Sequence, residues 1–488
     1  MRHTLVLSDL HLWQVTDHED MWMRYRHRRF SPDAQLAELL GRIYAEIGDA
    51  ELELILNGDI FDFDIPPVVD GHAVPAPSPR TATEAVHRLA AILDDHELFL
   101  ITLSGVLARG GRVVLIAGNH DIQLGFPEVQ TYLRQRLTRT LRRQFPYTDF
   151  TQRRPLLLFR SWYYQTACGV HIEHGNQYDL YCSVPDPTAP LCPRGRLRPN
   201  AGSLVIEHLI GHLGYFNPNV ESSFLLTTRE YLAHWQTYYH RSKRSLVGRW
   251  FFGSLRIIWE LASTYGFRQA RWPFRGPAAL RRGRQLPLYG MRQHAALFAL
   301  PDVRAAMKLL CVDQALALLG AGAALLAALA VPALGLPLLL LLLGLLYRLR
   351  SKAAAGGFQE VSEQVAQSAR AIARIHSARA VVFGHTHKAA GAWEDGVFFG
   401  NCGTWAPLYH DIACTIAVES SRPLVWLRAQ GSHLSGGLYR FHDGQLHPDP
   451  GNPLDCSTNV PGRGGVPYPL LDRVEAGSRP GPHASVAP

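Results

Sequence analysis

Five short apolar runs along the chain each end in a small group of polar residues. The runs are residues 4–8, 52–56, 112–117, 169–173 and 378–383. Between them lie segments with helical signals: Leu40 and Ile43 share one face of residues 31–47, for example. Thr81 and Glu84 have the spacing of a capping box at the start of the next helix. Strands that alternate with helices predict a layered α/β core, with sites beyond the carboxyl ends of the strands.

The polar groups at the ends of the five runs carry side chains that bind metal ions. In chain order they read SDLH, GDIFD, GNHD, EHG and GHTH. Their ligand candidates are two Asp, one Asn and four His: Asp9, His11, Asp59, Asn119, His174, His385 and His387. Carboxylate, amide oxygen and imidazole suit hard and borderline divalent ions. Two such ions about 3.5–4 Å apart are a common means of cleaving phosphate esters, so the residues predict a dinuclear centre.

The order of these motifs resembles the calcineurin-like metallophosphoesterase superfamily. That family's pattern is D-x-H, G-D-x-x-D, G-N-H-[DE], a lone His and G-H-x-H, and the resemblance covers about residues 1–180 and 376–420. It implies a layered β-sandwich flanked by helices. It also implies one metal at Asp9, His11 and His387, a second at Asn119, His174 and His385, and Asp59 as the bridge between them. Manganese is the first expectation for both ions, with iron, zinc or cobalt as alternatives.

The resemblance also assigns the chemistry. A hydroxide held by the two ions is expected to attack phosphorus in line. His120 is expected to stabilise the developing charge or to protonate the leaving oxygen, and Asp121 to orient the His120 ring. Asp62 is expected to lie behind the ligands as a supporting carboxylate, or to cap a strand end.

A large insertion separates His174 from His385, and it divides the core into two parts. We predict a first core part at 1–182, a basic and aromatic helical insertion at 183–308, a hydrophobic membrane hairpin at 309–350 and a second core part at 351–441. Residues 442–488 are rich in Pro and Gly and are expected to form a disordered tail. Residues 268–292 are predicted to be loop-like and basic. Candidates there for contact with a substrate phosphate or with the membrane are Arg271, Arg275, Arg281, Arg282 and Arg284.

The hairpin prediction depends on length, flanking charge and the position of the motifs. Leu309 to Tyr347 has Asp313 as its one charged residue, and about 20 apolar residues suffice for one crossing. Basic residues flank both ends, which favours the cytoplasmic side for each. Candidate ligands lie both before and after this segment, and they must meet at one site. The segment must therefore cross the membrane an even number of times, or enter and leave it on the same side. A re-entrant wedge and a buried soluble hairpin remain alternatives, and 240–259 is predicted to be an interfacial helix or a lid helix.

Composition indicates which partners and which cellular compartment to expect. The net charge of +8 favours anionic partners such as a phosphorylated substrate or an acidic membrane surface, and no nucleic acid is expected. Seven cysteines without a CxxC pair favour a reducing compartment. The first residues lead directly into the first strand and do not resemble a signal peptide. We therefore expect a membrane-associated protein with a cytoplasmic catalytic domain.

The motifs also resemble one branch of the superfamily, the UDP-2,3-diacylglucosamine pyrophosphatases. The shared features are SDLHL, GD followed by Phe61, GHTH and an inserted helical lid, whereas the branch has Arg in place of His120. A lipid-linked or membrane-proximal phosphoester or pyrophosphate is therefore the leading substrate prediction. The alternatives are an anchored enzyme that acts on soluble nucleotides or phosphoproteins, and an inactive membrane scaffold with the same fold.

Overall fold

Two β-sheets stack face to face, and helices cover their outer surfaces. A computed structural model describes residues 1–17, 21–146, 156–192, 195–215, 233, 235–240, 246–266, 285–310, 312–331, 337–344, 358–418 and 421–449. The strands are β1 Arg2–Leu7, β2 Glu51–Asn57, β3 Val68–Val69, β4 His72–Ala73, β5 Arg112–Ile116, β6 Leu156–Arg160, β7 Tyr163–Gln165, β8 Val170–Glu173, β9 Ala380–Phe383, β10 Ala390–Glu394, β11 Val397–Asn401, β12 Arg422–Gln430, β13 His433–His442 and β14 Gln445–Pro448.

The helices follow the predicted alternation in the first part of the chain. They are α1 Asp33–Ile47, α2 Ala82–Asp95, α3 Glu97–Ala108, α4 Pro127–Gln144, α5 Ala201–Val205, α6 Gly211–Leu213, α7 Leu246–Tyr265, α8 Gln285–Ala295, α9 Val303–Leu309, α10 Val312–Ala330 and α11 Phe358–His376. A π-helical turn, Ile206–Ile210, joins α5 to α6. The capping box at the start of α2 is confirmed: Thr81 and Glu84 each pair with the other's backbone N–H.

The larger sheet has the strand order β14-β13-β12-β1-β2-β5-β6. Strands β1, β2, β5 and β6 are parallel, and β12 joins β1 antiparallel. The smaller sheet has the order β10-β11-β9-β8-β7, with β8, β9 and β11 parallel. The α/β prediction is confirmed. Because the parallel strands of each sheet end at one edge, the polar groups that follow β1, β2, β5, β8 and β9 come together there.

The apolar faces of the strands determine which layers pack together. Val6 and Ile55 of the larger sheet pack against Ile172 and Val382 of the smaller one in a single buried cluster. The opposite face of the larger sheet packs against α1 to α4. The opposite face of the smaller sheet packs against α11 and against Met291 of α8. The result is four layers, two sheets between two helical layers.

The described part of the insertion has its own apolar cluster, which includes Leu204, Leu209, Ile257 and Val303.

Two predicted segment boundaries differ from those in the structure. Residues 285–292, predicted to be loop-like, begin α8, which packs through Met291 on the smaller sheet. The predicted tail contains strand β14, which pairs with β13 along the edge of the larger sheet.

The region 309–350 contains α10 and a helical stretch at 337–344. These two pack together, since a Cβ built at Gly320 would lie 3.4 Å from Leu342. The prediction of a membrane hairpin is not supported here: within the described residues, no helix combines the length and the apolar character needed to cross a membrane.

Candidate metal centre

The five polar groups meet between the ends of the two sheets. Backbone hydrogen bonds join their loops: the Asp9 N–H donates to the Gly58 carbonyl over 3.1 Å, and the Gly384 N–H donates to the His174 carbonyl over 2.9 Å. The His120 N–H donates to Asp59 Oδ1 over 2.8 Å. Groups that are far apart in the chain therefore form one site, which the spacing of the motifs alone could not establish.

The first set of candidate ligands surrounds the Asp9 carboxylate. His387 Nε2 lies 3.2 Å from Asp9 Oδ1, and His11 Nε2 lies 3.8 Å from the same oxygen. The other oxygen, Oδ2, accepts hydrogen bonds from the Ser8 hydroxyl and from the His385 N–H. The Asp9 carboxylate is thus fixed through hydrogen bonds to Oδ2, and its Oδ1 faces two imidazoles. These three side chains can hold one divalent ion.

The second set surrounds Asp59. His174 Nε2 lies 3.1 Å from Asp59 Oδ2, and the His385 ring belongs to the same group. The same Asp59 oxygen lies 3.9 Å from His11 Nε2 of the first set. Asp59 thus stands between the two sets, as a bridging carboxylate would.

Several buried atoms in the site make no hydrogen bond of acceptable geometry, although His174 Nε2 lies 3.1 Å from Asp59 Oδ2. They are Asp9 Oδ1, His11 Nε2, Asn119 Oδ1 and His174 Nε2. A buried polar atom without a hydrogen-bond partner lowers the stability of the fold by about 1–3 kcal/mol. Such atoms are rare in native proteins, and each one calls for an explanation. All four are atoms that the resemblance assigns to metal ions. The residues present therefore fit a pair of divalent ions.

The backbone at the site is strained. Five of the candidate ligands have left-handed φ angles, which are unfavourable for residues other than glycine. The angles are 55° at Asp9, 47° at His11, 51° at Asp59, 67° at His385 and 56° at His387. Such strain persists where the surrounding structure fixes it, and it turns each side chain sharply out of its strand toward the other ligands.

Close packing explains why two positions in the motifs are occupied by glycine. A Cβ at Gly118 would lie 2.2 Å from Asp59 Oδ1, and one at Gly384 would lie 1.9 Å from the Ser8 hydroxyl oxygen. Distances under 3.0 Å are not tolerated by real Cβ atoms. The glycines therefore let the loops approach the carboxylates that form the site.

The imidazoles of the candidate ligands are oriented through their second ring nitrogens. His11 Nδ1 lies 3.2 Å from Asp62 Oδ2, His174 Nδ1 lies 2.9 Å from the Asn57 carbonyl, and His385 Nε2 lies 3.0 Å from Asp179 Oδ2. Such partners fix the ring and raise its basicity toward a metal. Asn57 and Asp179 were not predicted. Asp179 follows the His174 motif by only five residues, which was the one available signal.

The charges of the site favour cations. Burial alone would raise the pKa of the Asp59 carboxyl, but the neighbouring His174 and His120 rings hold that pKa well below its usual range. Burial would lower the pKa of His174, yet the carboxylates of Asp59 and Asp9 raise that pKa to about 9. In the metal-free protein a proton on His174 thus neutralises charge that divalent ions would otherwise neutralise.

His120 lies beside the ligand set. Its Nδ1 lies 3.3 Å from Asp62 Oδ1 and 3.5 Å from Asp64 Oδ2. Burial opposes protonation, but the carboxylates of Asp62 and Asp59 raise the pKa of His120 well above its ordinary value. These carboxylates therefore favour the protonated ring, which can donate a proton.

Asp121 has a different role from the predicted one. Its Oδ1 accepts the Gly118 N–H over 2.6 Å and its Oδ2 accepts the Ile60 N–H over 2.8 Å. It holds two motif loops together, whereas the carboxylates beside the His120 ring are Asp62 and Asp64. Burial raises the pKa of Asp121 to about 7, and the charge of Asp59 adds to this rise.

The predicted arginine contacts cannot be placed, because Arg271, Arg275, Arg281, Arg282 and Arg284 lie outside the described residues. The structure contains instead a cavity of about 690 Å³ between the core and the insertion. Its lining includes Arg80, Arg88, Arg196 and Arg256. Arg88 donates to the carbonyls of residues 63 and 65, just beyond the GDIFD motif. Sequence reasoning missed this cavity because its arginines are scattered along the chain.

No protein-family model and no curated protein matches the chain. Among solved structures, similar regions occur in a single-mutant and a double-mutant form of Vps29 from Entamoeba histolytica, each at 21% identity. They cover 16% and 17% of this chain, with TM-scores of 0.13 and 0.14. The chain spans less than half of the Vps29 chains it matches, 42% and 43%. Function is therefore inferred from the geometry of the site.

Proposed function

We propose that the protein is a dinuclear metal-dependent phosphoesterase. One observation carries the proposal: four buried candidate ligand atoms from three separate motifs converge at one place and make no hydrogen bond of acceptable geometry. Asp9, His11 and His387 would hold one ion, and Asn119, His174 and His385 the other, with Asp59 shared. When bound, the two ions would activate a water molecule and neutralise charge on the phosphate.

The side chains around the ligands have distinct tasks in this proposal. The His120 ring presents Nδ1 to the Asp62 and Asp64 carboxylates, which leaves its other nitrogen for the substrate. As a cation it would stabilise negative charge on the phosphate and donate a proton to the leaving oxygen. Asp62 contacts both His120 and His11, so one carboxylate fixes the proton donor relative to a metal ligand.

We further propose that the substrate is lipid-linked or close to a membrane. The support is an apolar surface that the described structure leaves exposed. Helix α10 and residues 337–344 expose Leu319, Leu326 and Leu341 by 62–69%. On α7, Phe252 and Trp259 are 71% and 69% exposed.

The two parts of this surface are close to each other. The Trp250 indole N–H on α7 donates to the Leu310 carbonyl just before α10, over 3.0 Å. Exposed aromatic and aliphatic side chains next to the exposed Arg256 are typical of a helix at a bilayer interface. This arrangement lets the protein lie on a membrane, and it does not require a helix that crosses it.

The test of the proposed activity is manganese-dependent hydrolysis of an aryl phosphodiester and an aryl phosphomonoester by the purified full chain. Asp59→Asn removes the shared carboxylate, and His120→Gln removes the proton donor. His442→Gln is the matched control, because this histidine is half exposed on β13 and pairs with its neighbour Asp443.

We expect metal-dependent turnover that Asp59→Asn abolishes, that His120→Gln lowers by about 10²–10⁴-fold and that His442→Gln leaves unchanged. Equal turnover in the wild type and Asp59→Asn would refute the proposal. Binding of both ions without turnover of either ester would favour the inactive scaffold.

A further inference from the structure

A second group of histidines lies outside the candidate metal centre. His171 of β8, His294 of α8 and His376 of α11 are all buried, with 0%, 0% and 7% of their surfaces exposed. Each ring places one nitrogen within 4.8 Å of a nitrogen of each of the other two rings. The three rings come from the core, from the insertion and from the helix that leads back to the core.

The alternation of side chains along β8 places this cluster on a different face of the sheet from the space between the two sheets. Successive side chains of a strand point to opposite faces. Val170 and Ile172 point into the space between the two sheets. His171 and Glu173 therefore point the other way, toward the layer that contains α8 and α11. The cluster shares a strand with the His174 motif but occupies the opposite face of the sheet.

We propose that His171, His294 and His376 form a third metal site, which binds a zinc ion. One pair of the nitrogen atoms is already near the spacing that zinc needs, and all three atoms lie within 4.8 Å of one another. At a Zn–N distance of 2.0–2.1 Å, nitrogens around a tetrahedral ion lie about 3.3 Å apart. His376 Nε2 and His294 Nδ1 are now 2.9 Å apart, so a small opening would admit the ion.

Two of the three rings have nitrogens without a hydrogen bond, whereas both nitrogens of His294 have partners. Neither nitrogen of His171 has a hydrogen-bond partner, and neither does Nδ1 of His376. A neutral imidazole carries an N–H on one nitrogen, and His171 Nε2 lies 3.5 Å from Glu173 Oε1, at the limit of a hydrogen bond. His171 is therefore costly to bury, and a metal ion would use its lone pair.

For two of the imidazoles, burial favours the neutral form that binds a metal. Burial, together with the neighbouring His171 and His294, lowers the pKa of His376 to about 2. Burial likewise lowers the pKa of His171. Both rings are therefore neutral at physiological pH.

A supporting shell surrounds the cluster. His294 Nε2 lies 2.7 Å from the Tyr178 hydroxyl, which donates to Glu173 Oε1 over 2.9 Å. The other Glu173 oxygen accepts the Trp162 indole N–H over 3.0 Å. A hydrogen-bonded partner on the second nitrogen of a metal-binding histidine is the usual arrangement. Glu173 lies within 3.5 Å of both His171 and His294 and supplies a negative charge to balance the ion.

Zinc is the metal that this chemistry favours. The ligands are imidazoles in a closed, buried site, and zinc accepts such sets without a preferred d-electron geometry. Since His294 belongs to the insertion and His171 to the core, the ion would fasten the insertion to the sheet. The inference does not depend on the proposed phosphoesterase activity.

The test is the zinc content of the full chain after equilibration with Zn²⁺ and removal of excess metal. His294→Gln and His376→Gln each remove one ligand. His3→Gln is the matched control, because His3 is also buried and has an unpaired Nδ1, but lies on β1 against Trp426. We expect each ligand variant to bind one zinc per chain fewer than the wild type, and the control to bind the same number.

A second measurement covers the case in which the ligand variants fail to fold, as circular dichroism would show. Asp59→Asn protein, in which the dinuclear centre is disabled, is loaded with Co²⁺, and its visible spectrum is recorded. An intense band of tetrahedral Co²⁺ would support the third site. Folded ligand variants with wild-type zinc content, or Asp59→Asn protein without a tetrahedral Co²⁺ band, would overturn it.

Discussion

Gly118→Ala is a small substitution that tests the centre of the site. Gly118 precedes the candidate ligand Asn119, and its α-carbon faces the Asp59 carboxylate. An added methyl group would lie 2.2 Å from Asp59 Oδ1 and 2.6 Å from the Asp59 backbone nitrogen. The second contact involves backbone, so a change of rotamer cannot relieve both.

The size of the effect follows from these distances. Cβ contacts under 3.0 Å are not tolerated, so the Asp59 oxygen must move by about 0.8 Å relative to the GNHD loop. A displacement of about 1 Å at a catalytic group costs about 10²-fold in rate. Overpacking of a close-packed site adds about 1–3 kcal/mol of destabilisation. The same movement would weaken the hydrogen bond that Asp59 accepts from the His120 N–H.

The assay is manganese-dependent turnover of the aryl phosphodiester, with the affinity for Mn²⁺ measured in parallel. Gly41→Ala is the control, because Gly41 lies within helix α1 and a Cβ there would meet nothing within 4 Å. That variant is expected to be fully active and slightly more stable, by about 0.5–1 kcal/mol. If Gly118→Ala keeps both wild-type turnover and wild-type Mn²⁺ affinity, the placement of Asp59 at the centre is wrong.

Three further predictions concern the supporting carboxylate, pH and the membrane. Asp62→Asn should lower metal affinity by about 10–100-fold in a Mn²⁺ titration; unchanged affinity would contradict its role behind the ligands. Since the pKa of His174 is raised to about 9 and a metal must displace its proton, Mn²⁺ affinity should rise between pH 7 and 9, whereas a flat profile would contradict the competition. Replacing Phe252 and Trp259 together with Ser should weaken flotation with anionic vesicles at least about tenfold, while Leu98→Ser, on α3, should not; equal flotation of both would refute the membrane surface.

Local patterns were sufficient for much of the core. The apolar runs before the motifs predicted strands β1, β2, β5, β8 and β9, and the order of the motifs predicted a common site. Those signals are local, because each depends on a few neighbouring residues and on the period of a strand. Residues 414–418, in contrast, contain only an isolated bridge, between Ala417 and Tyr409.

Features that depend on distant contacts were not predictable. The left-handed φ angles of the ligands arise because loops from two sheets meet, and no local pattern encodes them. For the same reason Asp62, and not Asp121, contacts His120: GDIFD and GNHD lie in different loops, and their relative positions are set by β2 and β5. His294 could not be connected with His171 from sequence, because α8 lies in a region whose composition resembles a loop.

The most direct test of the dinuclear centre is the electron paramagnetic resonance spectrum of the purified full chain loaded with Mn²⁺. Two ions about 3.5–4 Å apart are magnetically coupled and give a multiline signal unlike that of an isolated ion. We predict the coupled signal in the wild type and its loss in Asp59→Asn. A spectrum of isolated Mn²⁺ alone in the fully loaded wild-type protein would contradict the dinuclear centre.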